Sequence, residues 1–311
     1  MKKIIGLGNC LVDMLVQLHD ERLLTELGLP EGSMQIIDKK EKEEIALRLQ
    51  YEKTSRVPGG SAANTIKALA NEGAEVGFIG KVADDENGEF FVNELQSLGV
   101  NTQIVKTQGG ATGVASTFIS PNGQRTFATY LGVSSTLSLE DVLPEMLEGY
   151  DILYVEGYLV QNYALIDNVM QIAKKMGMTI CLDLASYNIV EEQRGFFTYL
   201  LEQFVDIVFA NEEESYAITE KAPAEALAQL ASMCDIAVVK LGANGSSAQR
   251  GDEAVRVPAV PVPQVVDTTG AGDFFAAGFL SAYINGGSLA DGLAKGSELS
   301  AKVIQIVGVS V

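Results

Sequence analysis

Asp273 ends a polar, glycine-rich run, D-T-T-G-A-G-D, and heads an almost wholly apolar stretch that continues to Leu280. Gly270, Ala271 and Gly272 are small enough for a ligand to approach their backbone closely. A helix starting there leaves its first N–H groups without intrahelical acceptors. Those amides and the positive end of the helix dipole make an anion site that needs no basic side chain. The same dipole favours the ionised form of Asp273. A carboxylate beside a phosphate-sized anion hole can take the proton of an attacking hydroxyl while backbone donors stabilise the transferred group. The alternative is a plain acid at a helix start, which contributes a few tenths to about one kcal/mol. The glycines on either side of Ala271 tilt the balance toward chemistry, because one capping residue would serve the alternative.

A second stretch, V-P-G-G-S-A-A-N-T at Val57–Thr65, breaks the chain at Pro58, Gly59 and Gly60 just before a helical pattern. Bare glycine amides can bond ligand hydroxyls, and Asn64, one turn into the helix, offers a donor and an acceptor. A tight turn with Ser61 as the helix cap accounts for the same residues, and the sequence leaves both open. Other chemistries lack their parts. The first turn, G-L-G-N-C-L, has Leu11 where a dinucleotide fingerprint needs glycine, and Gly80-Lys81 is followed by Val82, so there is no P-loop. The single histidine, His19, leaves little material for a Ser-His-Asp triad or a histidine metal site and reads as a solvated residue.

These residues must be positioned by a scaffold, and 311 residues at 47% hydrophobic content supply a sizeable core. The formal charge of −19 opposes binding to nucleic acid or anionic membranes. Cys10, Cys181 and Cys234 have no metal-site spacing, the N-terminus has no signal-peptide core, and no apolar run reaches membrane length. A cytoplasmic protein is expected. Short apolar runs at Ile4–Leu7, Val76–Ile79, Ile152–Val155, Thr179–Leu182, Ile207–Ala210 and Ile236–Lys240 read as strands. Helical periodicity fills the gaps at Ser61–Asn71, Gly88–Leu98, Tyr163–Met176, Ala224–Cys234 and Gly270–Ile284. This alternation predicts an α/β fold with a mostly parallel sheet covered by helices on both faces, a three-layer α/β/α sandwich. Val12–Leu18, Ser33–Asp38 and the pair Thr112–Ser120 and Arg125–Leu131, joined by P-N-G, break the alternation and predict a small β-sheet lid. The core is expected over residues 1–11, 39–100 and 132–311, and the lid over 12–38 and 101–131. An exposed lid edge suits a homodimer.

G-G-S-A-A-N in the N-terminal third with D-T-T-G-A-G-D near the C-terminus resembles the two signatures of the ribokinase-like carbohydrate kinases, the phosphofructokinase B group. The resemblance covers nearly the whole chain, and D-M-L-V with L-G-L-P-E-G-S-M is similar to the adenosine-kinase-like branch. It implies an ATP- and Mg²⁺-dependent kinase acting on a primary hydroxyl of a nucleoside or sugar. Asp273 would be the base, and Gly270, Ala271 and Gly272 the anion hole. Asp13 would bind substrate hydroxyls, with Gly59, Gly60 and Asn64 completing that site. Lys240, Gly242 and Gly245 match the turn that contacts ATP phosphates. Asn211 and Glu214 match the N-x-x-E motif that organises the water shell of Mg²⁺, although three acids in a row also read as a solvated helix start. Asp183 is expected near the metal. Asp267 and the Thr269 carbonyl would hold a monovalent cation such as K⁺. Arg125 reads equally as a residue reaching from the lid to substrate or as an exposed strand position, and residues 191–201 have no role.

The resemblance puts adenosine first among acceptors, with ribose, fructose or another sugar next. A non-catalytic sensor and an NAD(P)-dependent oxidoreductase are the readings from other classes. The complete set of kinase acids disfavours the first, and the failed dinucleotide fingerprint disfavours the second.

Overall fold

The computed structural model describes residues 2–50, 54–121 and 124–309. Its strands begin with β1 Ile4–Leu7, β2 Leu11–Gln17, β3 Met34–Ile36, β4 Thr54–Gly59, β5 Val76–Ala83, β6 Asn101–Thr107 and β7 Gly113–Ile119. They continue with β8 Arg125–Tyr130, β9 Ile152–Glu156, β10 Thr179–Asp183, β11 Ile207–Asn211, β12 Ile236–Lys240, β13 Ser246–Arg250 and β14 Glu253–Val257. The helices are α1 Arg22–Leu27, α2 Lys39–Leu49, α3 Ser61–Asn71, α4 Glu86–Ser97, α5 Tyr163–Lys175 and α6 Tyr187–Glu192. After them come α7 Arg194–Gln203, α8 Glu212–Thr219, α9 Pro223–Met233, α10 Ala271–Ile284 and α11 Leu289–Val303.

The large sheet has the order β14-β13-β12-β11-β10-β9-β1-β5-β6 and is parallel except for β13 and β14. Its central strands are buried on both faces, which is why they read as continuous apolar runs. Alternate residues divide between two cores. Ile4, Tyr154 and Phe209 face the core shared with α3, α4, α10 and α11, while Ile5, Leu153 and Val208 face the one shared with α5 to α9. This is the three-layer α/β/α architecture that the sequence predicts, accompanied by a second, smaller sheet.

The lid has the order β3-β8-β7-β2-β4 and a core of its own, in which Val16, Phe118 and Ala128 meet Ile45 and Leu49 of α2. Two segments lie on the other side of the expected boundary. β6 pairs in parallel with β5 at the edge of the large sheet, although residues 101–107 were expected in the lid. β4 pairs with β2 in the lid, although residues 54–59 were expected in the core. β6 is only partly buried and lacks the continuous apolar run of the central strands, so pattern alone does not say which sheet this edge strand joins. Asn122 and Gly123 of the expected hairpin turn lie outside the described residues, but the flanking β7 and β8 are paired antiparallel up to Ile119 and Arg125.

Helix α10 packs most closely against α11, and glycine makes that contact possible. A Cβ on Gly278 would stand 2.5 Å from the carbonyl oxygen of Lys295 and 2.8 Å from Cα of Gly296. Alanine at Gly278 should gain roughly 1 kcal/mol of helix propensity. Overpacking against backbone should cost about 1–3 kcal/mol and win. Thermal denaturation of Gly278→Ala should therefore show a lower Tm than the parent; an equal or higher Tm would refute the close packing.

Candidate active site

Four neighbouring parallel strands end in polar residues along one rim of the sheet: Glu156, Asp183, Asn211 and Lys240. That rim is where an open α/β sheet places its ligands. Over it lies a cleft of about 1430 Å³, roofed by the lid and lined by all four. It also takes in Asn9, Asp13, Gly60, Ser61, Asn64 and the run from Thr268 to Asp273.

Asp273 lies in the first turn of α10, behind Gly270, whose φ of +75° starts the helix. Its Oδ1 accepts a hydrogen bond from Oγ of Ser61 at 2.7 Å, and Oδ2 accepts one from Nδ2 of Asn64 at 2.9 Å. The two glycine-rich stretches of the sequence thus meet at one carboxylate. Burial pushes this carboxyl up to about 6; Ser61 and Asn64 oppose the rise, the Asp183 charge adds to it and Lys240 opposes it. At neutral pH the group is ionised and close to the range where a general base is effective. The buried Oδ1 of Asn64 has no hydrogen-bond partner among the described residues, so an acceptor stands open beside the base.

Lys240 holds the other side of the anion hole. Its Nζ donates to Oδ2 of Asp183 at 3.0 Å, and a Cβ on Gly272 would lie 3.1 Å from that ammonium. Burial pulls Lys240 down, but Asp183, Glu214 and Asp273 together outweigh it and the group is raised. A fixed cation and the amides of Gly272 and Asp273 therefore face the same small volume, an arrangement suited to a phosphate, while the Ala271 amide donates to the Thr268 carbonyl at 3.2 Å. Gly242 and Gly245 line the cleft beyond it.

Asn211 and Glu214 are near this volume but bonded to each other. The Asn211 amide and Nδ2 donate to Glu214 at 2.7 and 2.8 Å, and the Glu214 amide donates back to Oδ1 of Asn211. This is a capping box for α8. Burial pushes Glu214 up to about 7, with Lys240 opposing and Asp183 adding. Among the described residues no cluster of three or more His, Cys, Asp or Glu could hold a metal directly. These side chains fit an ion held by phosphate oxygens and water, with the carboxylates one water away.

Asp13 is buried on lid strand β2, and Gly59 of the neighbouring β4 packs against its carboxylate rather than lining the cleft. A Cβ on Gly59 would fall 2.2 Å from Oδ1 of Asp13. Burial pushes Asp13 up to about 6, against the charges of Lys67 and Arg125. Asp267 is buried away from the cleft, and its Oδ1 accepts from the Thr269 amide at 2.9 Å. Arg125 is neither exposed nor at the cleft surface; it is paired with Asp267.

Two further residues take part that the sequence reading leaves out or casts differently. Ser61 is not the helix cap, which is Gly60, but a donor to the base. Glu156 is fully buried and accepts from the Asn9 amide at 2.8 Å, Asn9 Nδ2 at 2.6 Å and the Ala62 amide at 2.9 Å. It ties the β1–β2 turn to the start of α3, and burial pushes it up to about 7 against those three donors. The polar last residue of an apolar strand was its only signal in the sequence.

The profile of the pfkB family carbohydrate kinases matches residues 32–311. The chain belongs to this family. It is an ATP-dependent phosphotransferase, a carbohydrate or nucleoside kinase, and the oxidoreductase reading is thereby set aside. An adenosine kinase from Sinorhizobium meliloti is 35% identical with a TM-score of 0.92, covering 100% of this chain and 96% of the other. A probable sugar kinase from Rhizobium etli CFN 42 is 32% identical with a TM-score of 0.91, covering 99% and 94%. A 5-dehydro-2-deoxygluconokinase from Bacillus velezensis is 30% identical over 269 residues, 80% of each chain. Among the described residues no helix of this kinase is long and apolar enough to cross a membrane.

If Asp273 is the base, kcat/KM should hold level above pH 6 and fall about tenfold per unit below it, as protonation removes the base. Asp273→Asn should lower kcat by 10² or more on the usual scale for a general base, with nucleotide affinity by calorimetry within about threefold of the parent. A profile without the acid limb, or near-normal turnover in the variant, would remove Asp273 from that role. Glu156→Gln places an NH₂ against one amide donor and should lower stability by about 1–3 kcal/mol in urea titration.

Proposed function

We propose that this kinase transfers the γ-phosphoryl group of ATP to the primary hydroxyl of a nucleoside, with adenosine first. The observation that carries this reading is the mixed lining of the cleft. Leu11, Met34, Ile36, Ala115, Phe127 and Leu131, from the lid and its base, give the acceptor side an apolar wall that suits a flat heterocycle. Asp13 and Asn64 line the same cleft and Asn64 bonds Asp273, so the hydroxyls of a ribose could be held there. On the donor side, Val260, Pro261, Val262, Ala301 and Ile304 offer a second apolar surface past Gly242 and Gly245.

In this reading Asp273 takes the proton of the acceptor hydroxyl while the α10 amides and Lys240 hold the transferred phosphoryl group. Mg²⁺, when bound with ATP, neutralises charge on the phosphates; Asp183, Asn211 and Glu214 would orient its water shell. The lid excludes water, which would otherwise compete as acceptor.

A second reading is a sugar or sugar-acid kinase, favoured by the gluconokinase relative. The lining weighs against a sugar acid. Lys240 is the single Lys or Arg among the described lining residues, and it is engaged by Asp183. An acceptor carboxylate would have no cation of its own. ADP release should be measured with ATP and Mg²⁺ across adenosine, other nucleosides, ribose, fructose and 5-dehydro-2-deoxygluconate. Adenosine should lead in kcat/KM by about 10²-fold or more, the scale of a well-matched polar pocket. A sugar acid in first place would overturn the acceptor while leaving the phosphotransferase intact.

A further inference from the structure

Asp267 opens the D-T-T-G-A-G-D run and, by resemblance, is the residue offered to a monovalent cation. Its carboxylate is fully committed here. Oδ1 accepts from the Thr269 amide at 2.9 Å, and Oδ2 accepts from the Gly308 amide at 2.8 Å. Oδ2 also pairs with Nη2 of Arg125, which arrives from lid strand β8. The side chains are 7% and 1% exposed, so the pair is shielded from water and salt. A K⁺ or Na⁺ ion set against Asp267 would stand beside the guanidinium, and like charges at such range in a dry site repel strongly. These residues do not fit a monovalent ion.

A charge is needed there all the same. Asp267 lies three residues before Gly270, and its bond to Thr269 shapes the loop that opens α10. Left unpaired, a buried carboxylate in that place would repel an incoming phosphate. We propose that Arg125 replaces the monovalent cation, so that this kinase binds nucleotide and transfers phosphoryl groups without K⁺ or Na⁺. A guanidinium keeps its charge at any working pH and cannot dissociate into solvent as an ion does. It also serves more than one acid, since its charge lowers Asp13 as well. Its Nε and Nη1 are buried without hydrogen-bond partners among the described residues, so Arg125 is held by charge rather than by a full set of donors. The cation belongs to the lid, whereas the carboxylate it neutralises belongs to the core.

The test uses the whole chain, dialysed into tetramethylammonium chloride at constant ionic strength, and does not depend on which acceptor proves best. Nucleotide affinity by calorimetry and kcat with the fastest acceptor should both stay within about twofold when K⁺ or Na⁺ at about 100 mM replaces the organic cation, since at that ionic strength general screening is already complete. Arg125→Gln should lose about tenfold or more in nucleotide affinity in the organic salt, a loss of the order seen when a buried charge is left unpaired. K⁺ should recover much of that loss in the variant, because the vacated volume beside Asp267 then suits an ion. Arg125→Lys should remain indifferent to K⁺. Activation of the parent by K⁺ of about tenfold or more would overturn the proposal, as would an Arg125→Gln protein that binds nucleotide normally without alkali ions. If Arg125→Gln does not fold, the cation series on the parent decides alone.

Discussion

Two hydrogen bonds, from Ser61 and Asn64 to Asp273, join segments more than 200 residues apart, and the working geometry depends on them. Helix α3 begins where lid strand β4 ends, and α10 begins where the anion loop ends. The bonds therefore set the distance between the hydroxyl-binding floor under the lid and the amides that face the phosphate. They also hold the Asp273 carboxylate from two sides, which is the preorganisation that the proposed proton transfer would need. The close packing of α10 on α11 at Gly278 and Gly296 serves the same end from behind, because a helix free to slide would carry Asp273 with it.

Around this contact the problem is one of buried negative charge. Asp13, Glu156, Asp183, Glu214 and Asp267 are all buried within or beside a cleft meant for a polyanion. In a chain of net charge −19 general attraction cannot help. Asp13 has the charges of Lys67 and Arg125 nearby, and the other four are handled locally in two different ways. Asp183 and Asp267 are neutralised by Lys240 and Arg125, a solution that holds only while both partners stay in place. Glu156 and Glu214 are instead surrounded by N–H donors and keep pKa values near 7, poised between charged and neutral. Asp273 takes a middle course, two donors against burial, and that leaves it ionised yet basic enough to act.

The sheet, the order of strands and helices and the two glycine-rich segments were legible because long buried strands and helix starts carry strong local signals. What escaped lies at the ends of those elements. Apolar runs close at Val155, Leu182 and Ala210, yet each strand continues one residue further, to Glu156, Asp183 and Asn211; the family resemblance supplies Asp183 and Asn211 but not Glu156. The residue that matters at a strand's carboxyl end is the one that breaks the apolar pattern, so a reading by hydrophobicity stops just short of it. Ser61 was read as a cap because caps are decided by neighbours in sequence, whereas its partner is Asp273. The placement of β4 and β6 was lost for a related reason: an edge strand carries one buried face whichever sheet it joins.

Glu156 shows why the missed residues are the ones that connect domains. Its two oxygens bind Asn9, in the turn where the chain leaves β1 for lid strand β2, and Ala62, just past the point where it returns from β4 into α3. Two of the four crossings between core and lid are thus fastened to one side chain on β9. Nothing wider fits there, since a Cβ on Gly8 would lie 2.7 Å from Oε2 of Glu156 and one on Gly60 would lie 2.3 Å from the carbonyl oxygen of Asn9. In the proposed reading chemistry and specificity are carried by separate parts: the core fixes where the acceptor hydroxyl must attack the phosphoryl group, and the lid selects which molecule can bring that hydroxyl.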